Sequence, residues 1–176
     1  MENQVQYKKQ WFDFMGYEPH KGQRKLHFPD KESAQFFVMV CGRRFGKTTA
    51  SAMEATYYAS QPNKKIWLVG LSYDKADLMF REVWQKMVIG HSNDIERCSE
   101  KDRFIKFKWG TTVEAKSADN PDSLVGEGLD LLIMDEVAKM KRKIWDMYLS
   151  PTLSDRKGKG IFITTPEGFN WIYDLF

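Results

Sequence analysis

The residues best suited to chemistry lie in two short segments that are far apart in the chain. The first segment, 41–48, reads CGRRFGKT, and the second is the acidic pair Asp135 and Glu136, about ninety residues later. A glycine-containing loop that ends in lysine and threonine offers backbone N–H groups, an ammonium and a hydroxyl, which can replace water around phosphates. Two adjacent carboxylates offer a ligand for a hard cation and a base. Together the segments predict a nucleoside triphosphate site.

Each residue type in the first segment has a physical reason to be there. Gly46 permits a sharp backbone bend, Lys47 can reach the β- and γ-phosphates, and the Thr48 hydroxyl suits Mg²⁺. The segment departs from the pattern GxxxxGK[ST], because Cys41 stands where the first glycine is expected, although Gly42 follows directly. A chance GKT after a strand is the alternative. The predicted ATP-binding residues of this loop are Gly42, Arg43, Arg44, Phe45, Gly46, Lys47, Thr48 and Thr49.

The acidic pair ends the apolar run 131–134, which is typical of a buried strand. Ligands of open α/β sheets bind at the carboxyl ends of the strands. We therefore expect Asp135 to bind Mg²⁺ together with Thr48, and Glu136 to act as the general base on the attacking water. An acidic turn that caps the next helix is the alternative. No N-K-x-D guanine-reading motif is present, so the two segments favour ATP over GTP and hydrolysis over binding alone.

The apolar periodicity predicts the elements that position these segments. Helical patterns cover 7–15, 46–59, 72–90 and 144–149, and a further short helix that carries Gln23 opens near Pro19. Buried-type strands are predicted at 35–41, 65–71, 129–135 and 160–165, and an antiparallel hairpin at 104–116. The fold class is therefore α/β, with a mainly parallel sheet, helices on both faces and an added hairpin. The wide separation of the two motifs is typical of ASCE-type P-loop NTPases, which insert a strand between the motif strands and carry their own catalytic glutamate.

The composition narrows the class of protein only slightly. With 176 residues, 42% apolar and 29% charged, the chain suits one globular domain, without a signal peptide or a bilayer-spanning run. Cys41 and Cys98 form no disulfide scaffold, which indicates a reducing compartment, and no spacing predicts a structural zinc site. The net charge of +3 does not by itself indicate a nucleic-acid partner. The basic residues of 139–159 are either a phosphate-binding patch or a solvated face.

The motifs, taken in order, resemble a known family. Gln23, 42–48, 117–126 (SADNPDSLVG), 131–136 and 164–168 (TTPEG) are similar to the ATPase domain of tailed-phage and herpesvirus large terminases, which are viral DNA-packaging motors. The resemblance covers nearly the whole chain. It implies that Gln23 reads adenine and that Arg43 senses the γ-phosphate in cis and acts in catalysis with Lys47 and Glu136. It also implies that Thr164, Thr165 and Pro166 form a coupling motif that links hydrolysis to movement.

The chain departs from this family at two points. Many members have an arginine that acts on a neighbouring subunit where this chain has Val125, so such an arginine comes from Arg142 or Arg156, or is absent. Members also continue into a metal-binding nuclease domain. We therefore expect residues 1–176 to be one P-loop ATPase domain that is truncated at its C-terminal end and lacks the nuclease.

The resemblance implies ATP and Mg²⁺ as cofactors and double-stranded DNA as the translocated partner. It further implies the portal and the small terminase subunit as partners, a ring homo-oligomer on the prohead or a monomer in isolation, and a location in the host cytoplasm away from membranes. Two alternatives remain. One is a helicase-like translocase fragment, although 176 residues leave no room for a second motor lobe. The other is a nucleotide-binding assembly module with little turnover.

Overall fold

A single seven-stranded sheet organises the chain in the computed structural model, which describes residues 2–29, 34–90, 92–126 and 128–175. The strand order across the sheet is β1-β7-β6-β2-β5-β4-β3. The strands are β1 (Phe36–Val40), β2 (Lys65–Gly70), β3 (Ile95–Ser99), β4 (Phe104–Phe107), β5 (Thr112–Ser117), β6 (Leu131–Asp135) and β7 (Lys159–Thr164). Strand β7 therefore separates β1, which precedes the glycine loop, from β6, which ends in the acidic pair. This order confirms the predicted strand insertion.

The sheet is parallel from β1 to β5 and antiparallel beyond β5. The predicted hairpin is present as β4 and β5, but β5 also pairs in parallel with β2. The hairpin is therefore a continuation of the main sheet. Strand β3 was not predicted from the sequence, because its side chains are largely exposed and only Ile95 at its start is a large apolar residue.

Four longer helices and several short helical segments surround the sheet. The α-helices are α1 (Glu2–Phe14), α2 (Lys21–His27), α3 (Lys47–Ala59), α4 (Tyr73–Trp84), α5 (Arg142–Ile144) and α6 (Ser150–Thr152). The predicted helix 72–90 is shorter than expected, since α4 gives way to a π-helical turn at Gln85–Ile89. A second π-helical turn, Trp145–Leu149, joins α5 to α6. Among the described residues, none of the helices is both long and apolar enough to cross a membrane.

Alternating strand residues build a core on each face of the sheet. In β2, Ile66 and Leu68 pack under α3 and α4, whereas Trp67 and Val69 pack against the segment that follows β6. This period of two is expected of a strand that is covered on both faces. Helices α1 and α2 pack on α3, so the first face carries the longer helices. The result is the predicted arrangement with helical segments on both faces.

The strand before the glycine loop is less buried than its sequence predicts. Phe36 and Val40 of β1 are 47% and 36% exposed, so the prediction of a buried strand there is wrong. Strand β1 lies at the end of the sheet order and pairs with β7. An apolar run of five residues is equally compatible with an edge and with an interior position, so composition alone could not distinguish them.

Candidate functional site

The carboxyl ends of β1, β7 and β6 bring the predicted motifs to one edge of the sheet. Val40 at the end of β1 lies opposite Thr164, and Asp135 at the end of β6 lies opposite Ile163. The residue after β1, Cys41, donates its backbone N–H to Thr164 O over 3.1 Å. The glycine loop, the acidic pair and the TTP segment therefore start from adjacent points.

The loop between β1 and α3 has the backbone of a tight turn. Gly46 adopts φ +84°, a left-handed conformation, and α3 begins at the next residue. The left-handed backbone favours glycine here, and a Cβ on Gly46 would lie 2.6 Å from Gln23 Nε2, so the amide of Gln23 would have to move. Arg44 also has a positive φ of 63°. Gly42, Arg43 and Arg44 are exposed on the outside of the loop.

Lys47 lies inside this loop. Its side chain is buried, and Nζ donates to Cys41 O over 3.0 Å and to Gly42 O over 3.1 Å. Thr48 follows in the first turn of α3. The Thr49 hydroxyl instead donates to Glu82 Oε1 on α4 over 3.0 Å. Lys47 thus donates to carbonyl oxygens of its own loop, whereas the Thr49 hydroxyl connects α3 to α4.

Gln23 is buried on α2 and touches the glycine loop. Its Nε2 donates to Gly46 O over 3.1 Å, and its Oε1 accepts from His20 N over 3.1 Å. These bonds use one of the two amide N–H groups and one of the two acceptor positions of Oε1, so one N–H and one acceptor position remain for another partner. Gln23, predicted from the sequence to bind the nucleotide, therefore also connects α2 to the glycine loop.

His20 is a residue of this region that sequence reasoning missed. Its ring packs edge-on against Phe45, with centroids 4.8 Å apart, and its Nε2–H donates to Phe45 O over 3.0 Å. Its Nδ1 accepts from Gly22 N and so caps α2. The signal available in the sequence was a polar residue three positions before a glutamine, which is the capping-box spacing.

Asp135 is a buried acid with a raised pKa. It is 5% exposed, and its Oδ1 accepts from Glu136 N over 2.8 Å. Burial first, and then the negative charge of Glu136, raise the pKa of Asp135 from 3.8 to about 6. The ammonium groups of Lys47 and Lys75 act in the opposite direction, which places the loop lysine within electrostatic reach of the acid.

Glu136 has an unusual backbone and two contacts to its carboxylate. Its φ is +52°, and its side chain makes no helix-capping bond, so the alternative of an acidic cap is wrong for this residue. Its Oε2 accepts from Thr165 Oγ1 over 3.1 Å and lies 3.8 Å from Lys139 Nζ. Lys139 also pairs with Glu167 Oε1 over 3.0 Å. The hydrogen bond to Glu167 and, second to it, the negative charge of Glu136 raise the pKa of Lys139. Residues 139 and 167 lie in the basic run and the TTPEG segment, but the sequence did not predict that they meet beside Glu136.

Thr164 connects all three segments. Besides the bond from Cys41, its Oγ1 accepts from Ala138 N over 3.4 Å and donates to Thr165 O over 3.1 Å. The residue is 1% exposed. Together with Pro166, these threonines line an apolar cavity of about 410 Å³ that extends to Val40 at the end of β1. The structure therefore brings the predicted coupling segment into contact with both predicted motifs.

Arg142 and Arg156, the two candidates for the role of the arginine that Val125 replaces, lie away from the glycine loop and the acidic pair. Val125 is 70% exposed. Arg142 pairs with Asp146 and Asp174 on the surface. Arg156 pairs with Asp130 beside the start of β7, at the opposite end of the sheet from Lys47. The structure does not bring either arginine into the site of this chain.

Larger cavities lie elsewhere, and they do not define the site. A cavity of about 760 Å³ is found at the opposite end of the sheet, where Lys8, Tyr57, Lys64 and Arg156 are among its lining residues. Another of about 840 Å³ lies between α1 and α2. Phosphate-binding loops hold their ligand by backbone and lysine donors at the strand ends rather than in a deep apolar cavity. The convergence of motifs is therefore the better guide.

The oxygen donors of the site fit a magnesium ion. Thr48 offers a hydroxyl, and Asp135 offers a carboxylate of which one oxygen is held by a backbone N–H. Mg²⁺ prefers such oxygen ligands and keeps several waters, so it needs few protein ligands. Within the described residues there is no cluster of three or more His, Cys, Asp or Glu side chains that would suggest a different metal.

The fold and the site together define an α/β domain of the P-loop class. The family described as "Terminase large subunit, T4likevirus-type, N-terminal" matches residues 38–176. The chain belongs to this terminase large subunit family. The resemblance drawn from the motifs is thereby confirmed.

Individual relatives agree with this assignment. The large terminase subunit of Thermus phage G20c is 30% identical over 184 residues, which cover 94% of this chain and 37% of that protein. That of Escherichia phage T5 is 29% identical over 143 residues, covering 80% of this chain and 32% of the relative. The chain thus spans about a third of the length of these curated relatives.

Solved structures show the same fold. The large terminase ATPase domain of Thermus phage P74-26 has a TM-score of 0.83 and 30% identity, covering 94% of this chain and 72% of that one. The large terminase of a thermophilic bacteriophage, solved in complex with ADP, has a TM-score of 0.63 at 18% identity. It covers 84% of this chain and 39% of that chain, and at this identity it supports the fold alone.

Proposed function

We propose that this chain is a Mg²⁺-dependent ATPase that drives double-stranded viral DNA into a prohead. The observation that carries the proposal is the convergence of Lys47, Asp135 and Glu136 at one edge of the sheet, with Glu136 held by Thr165. A phosphate-binding lysine, a metal-binding acid and a base are the three groups that hydrolysis of a phosphoanhydride needs.

The roles of the residues follow from their chemistry. The N–H groups of the loop around Gly46 and the ammonium of Lys47 hold the β- and γ-phosphates, with Lys47 exchanging its bonds to the loop carbonyls for phosphate oxygens. Thr48 and Asp135 are the proposed Mg²⁺ ligands. Mg²⁺, when bound, neutralises charge on the phosphates and favours the in-line geometry.

Glu136 is proposed to orient and deprotonate the attacking water. Its Oε2 is occupied by Thr165, so Oε1 is the oxygen proposed to accept the water proton. Arg43, exposed at the loop, is proposed to approach the γ-phosphate in cis, and Gln23 to contact adenine through its second amide N–H. Thr164, Thr165 and Pro166 are the proposed coupling segment, because they link the glycine loop to Glu136.

The wider role is proposed from the family. The relatives are large terminase subunits, and this chain spans about a third of their length. We propose double-stranded DNA, the portal and the small terminase subunit as partners, a ring of subunits as the working form, and the host cytoplasm as its location.

The test is steady-state phosphate release from ATP with Mg²⁺. Glu136→Ala should lower the turnover on the order of 10²-fold or more, because it removes the proposed base. Glu100→Ala is the matched control, since Glu100 is exposed in the turn between β3 and β4. Equal turnover of wild type and Glu136→Ala would overturn the proposal. Tight ATP binding without phosphate release by wild type would instead favour an assembly module.

A further inference from the structure

The fold divides the basic run of residues 139–159 into two clusters at opposite ends of the sheet. Lys139, Lys141 and Lys143 follow β6 and lie at the edge that carries the proposed nucleotide site. Arg156, Lys157 and Lys159 lie around the start of β7, at the other edge. The sequence shows one basic run, whereas the structure shows two surfaces that must be judged separately.

The first cluster lines a groove. A cavity of about 330 Å³ is bordered by Lys139, Lys141 and Lys143, and by Leu71, Asp119 and Tyr148. We call it the lysine groove. Leu71 directly follows β2 and Asp119 lies just after β5, so the groove continues the carboxyl edge of the sheet beyond the acidic pair. Lys139 is shared, because its Nζ lies 3.8 Å from Glu136 Oε2.

The groove has an excess of positive charge that the described parts of the chain do not neutralise. Lys141 and Lys143 are exposed and form no ion pair with any other described residue. Lys139 is already paired with Glu136 and Glu167, so the excess comes from Lys141 and Lys143, with Asp119 as the acidic residue of the groove lining. Lysines on a solvated surface without acidic partners are suited to bind a polyanion, because binding releases counterions from it.

The second cluster is better compensated. Arg156 pairs with Asp130 Oδ2 over 2.8 Å, and Lys64 pairs with Asp130 Oδ1 over 3.1 Å. Lys159 packs its ammonium over the Phe37 ring at 4.2 Å. Arg156, Lys64 and Lys159 therefore have partners within the fold, and Lys157 is the one exposed lysine of this cluster without an ion pair to another described residue. Between the two clusters, the lysine groove is the stronger candidate for an external anion.

We propose that the lysine groove binds the phosphate backbone of double-stranded DNA, next to the motor site. This inference rests on the proposed function in taking DNA as the partner, and it adds the surface and residues that meet it. A duplex is favoured over a single strand because single-strand sites combine basic residues with stacking aromatics, and the ring bordering this groove, Tyr148, is half-buried. Lysine ammonium groups act as point charges, which suits backbone contacts independent of base sequence.

The test measures the binding of a fluorescently labelled DNA duplex by anisotropy, without nucleotide, at several salt concentrations. The double variant Lys141→Glu/Lys143→Glu should bind roughly 10- to 100-fold more weakly than wild type at about 0.1 M salt. The slope of log K against log salt should become shallower by about 2, since each lost lysine–phosphate contact removes about 0.9. Circular dichroism melting of both proteins checks that the fold is kept.

Lys157→Glu is the matched control, because Lys157 is an exposed lysine of the same run at the opposite end of the sheet. It should bind the duplex as wild type does. Unchanged binding by the double variant, or an equal loss in the control, would overturn the proposal. So would retention of duplex binding with loss of binding to polyglutamate, which would assign the groove to an acidic protein.

The outcome is separate from that of the proposed function. Duplex binding is measured in the absence of ATP, so an inactive wild type would overturn ATP hydrolysis but not the lysine groove. Conversely, the double variant should release phosphate from ATP at the wild-type rate when DNA is absent, because Lys141 and Lys143 make no contact with Lys47, Asp135 or Glu136 among the contacts of the described residues.

Discussion

The hydroxyl of Thr165 donates a hydrogen bond to Glu136 Oε2 over 3.1 Å, so the segment after β7 holds the carboxylate at the end of β6. Glu136 reaches this position through a left-handed backbone with φ of +52°, which is uncommon for a residue other than glycine. The strained backbone and the hydrogen bond together fix the direction of the carboxylate. Any movement of the Thr165 segment should therefore change the position of the Glu136 carboxylate, the proposed base.

Removing this hydroxyl should slow the chemical step more than it weakens ATP binding. We expect Thr165→Val to lower kcat about tenfold, because a lost hydrogen bond to a charged group corresponds to roughly 1.5 kcal/mol. The KM for ATP should change little, since Thr165 contacts the base and not the phosphate loop. Thr165→Ser keeps the hydroxyl and should restore most of kcat. Phosphate-release kinetics check this, and a rise in KM with unchanged kcat would contradict it.

Removing the charge of Asp135 should stabilise the fold. Its pKa is raised from 3.8 to about 6, mainly by burial, so the folded state binds the proton more tightly than the unfolded state. The contribution of Asp135 to the free energy of unfolding is most favourable below about pH 4 and is lost as the pH rises towards 6. Asp135→Asn removes the buried charge and keeps an acceptor for Glu136 N. We expect it to raise the free energy of unfolding at pH 7 by about 1–3 kcal/mol.

The same variant should lose ATP turnover, because an amide is a poor ligand for Mg²⁺. Urea unfolding at pH 4.0 and pH 7.0, beside ATPase assays, checks both effects. The stabilisation should be present at pH 7.0 and small at pH 4.0. Asp155→Asn is the control, since Asp155 is exposed. A variant that is destabilised at pH 7.0 would show that the Asp135 charge is compensated.

Much of the fold could be predicted because its parallel strands are covered on both faces. Apart from polar residues at their ends, strands β2, β6 and β7 are apolar, and such runs are recognisable without knowledge of their neighbours. Strand β3 was missed because it lies at an edge and exposes most of its side chains. The edge position of β1 was also missed, since it depends on which strands pair with it and not on its own residues.

The site divides in a similar way. The glycine loop and the acidic pair are each a short continuous segment that follows an apolar strand, so their position at the carboxyl edge of the sheet could be predicted from the sequence. The contacts of Lys139 with Glu136 and Glu167 depend on loops from two different strands meeting, which no local pattern encodes. The bond from Gln23 to Gly46 is another such case. The resemblance to the family pointed to Gln23, but its contact with Gly46 depends on how α2 packs against the glycine loop.

Gly46 should be intolerant of a side chain, whereas Gly42 should not be. At Gly46 an added Cβ meets both a left-handed φ of +84° and Gln23 Nε2 at 2.6 Å. We expect Gly46→Ala to lower the stability by about 1–2 kcal/mol, or the melting temperature by roughly 3–6 °C. At Gly42 a Cβ meets no atom within 4 Å, so Gly42→Ala should melt close to wild type. Thermal melting without nucleotide measures both variants. An equal fall in melting temperature for the two would contradict the prediction that Gly46 alone is intolerant of a side chain.

The buried ion pair between Lys8 of α1 and Glu54 of α3 should be sensitive to loss of either partner. Lys8 Nζ lies 2.5 Å from Glu54 Oε1, and the two residues are 6% and 0% exposed. Burial alone would raise the pKa of Glu54, but Lys8, and after it His27, hold that pKa well below its ordinary 4.5. The pair therefore stabilises the fold above about pH 4.5, and this contribution is lost as the pH falls below that value.

Lys8→Met should accordingly destabilise the protein by about 3–5 kcal/mol at pH 7, because it leaves a buried carboxylate without its ammonium. Lys9→Met, on the exposed side of the same helix, should change stability by less than about 0.5 kcal/mol. The double variant Lys8→Met/Glu54→Leu should recover part of the loss, since it removes the uncompensated charge as well. Denaturant unfolding at pH 7 compares the four proteins. If the double variant were no more stable than Lys8→Met, the loss would come from packing of the lysine stem rather than from the charge.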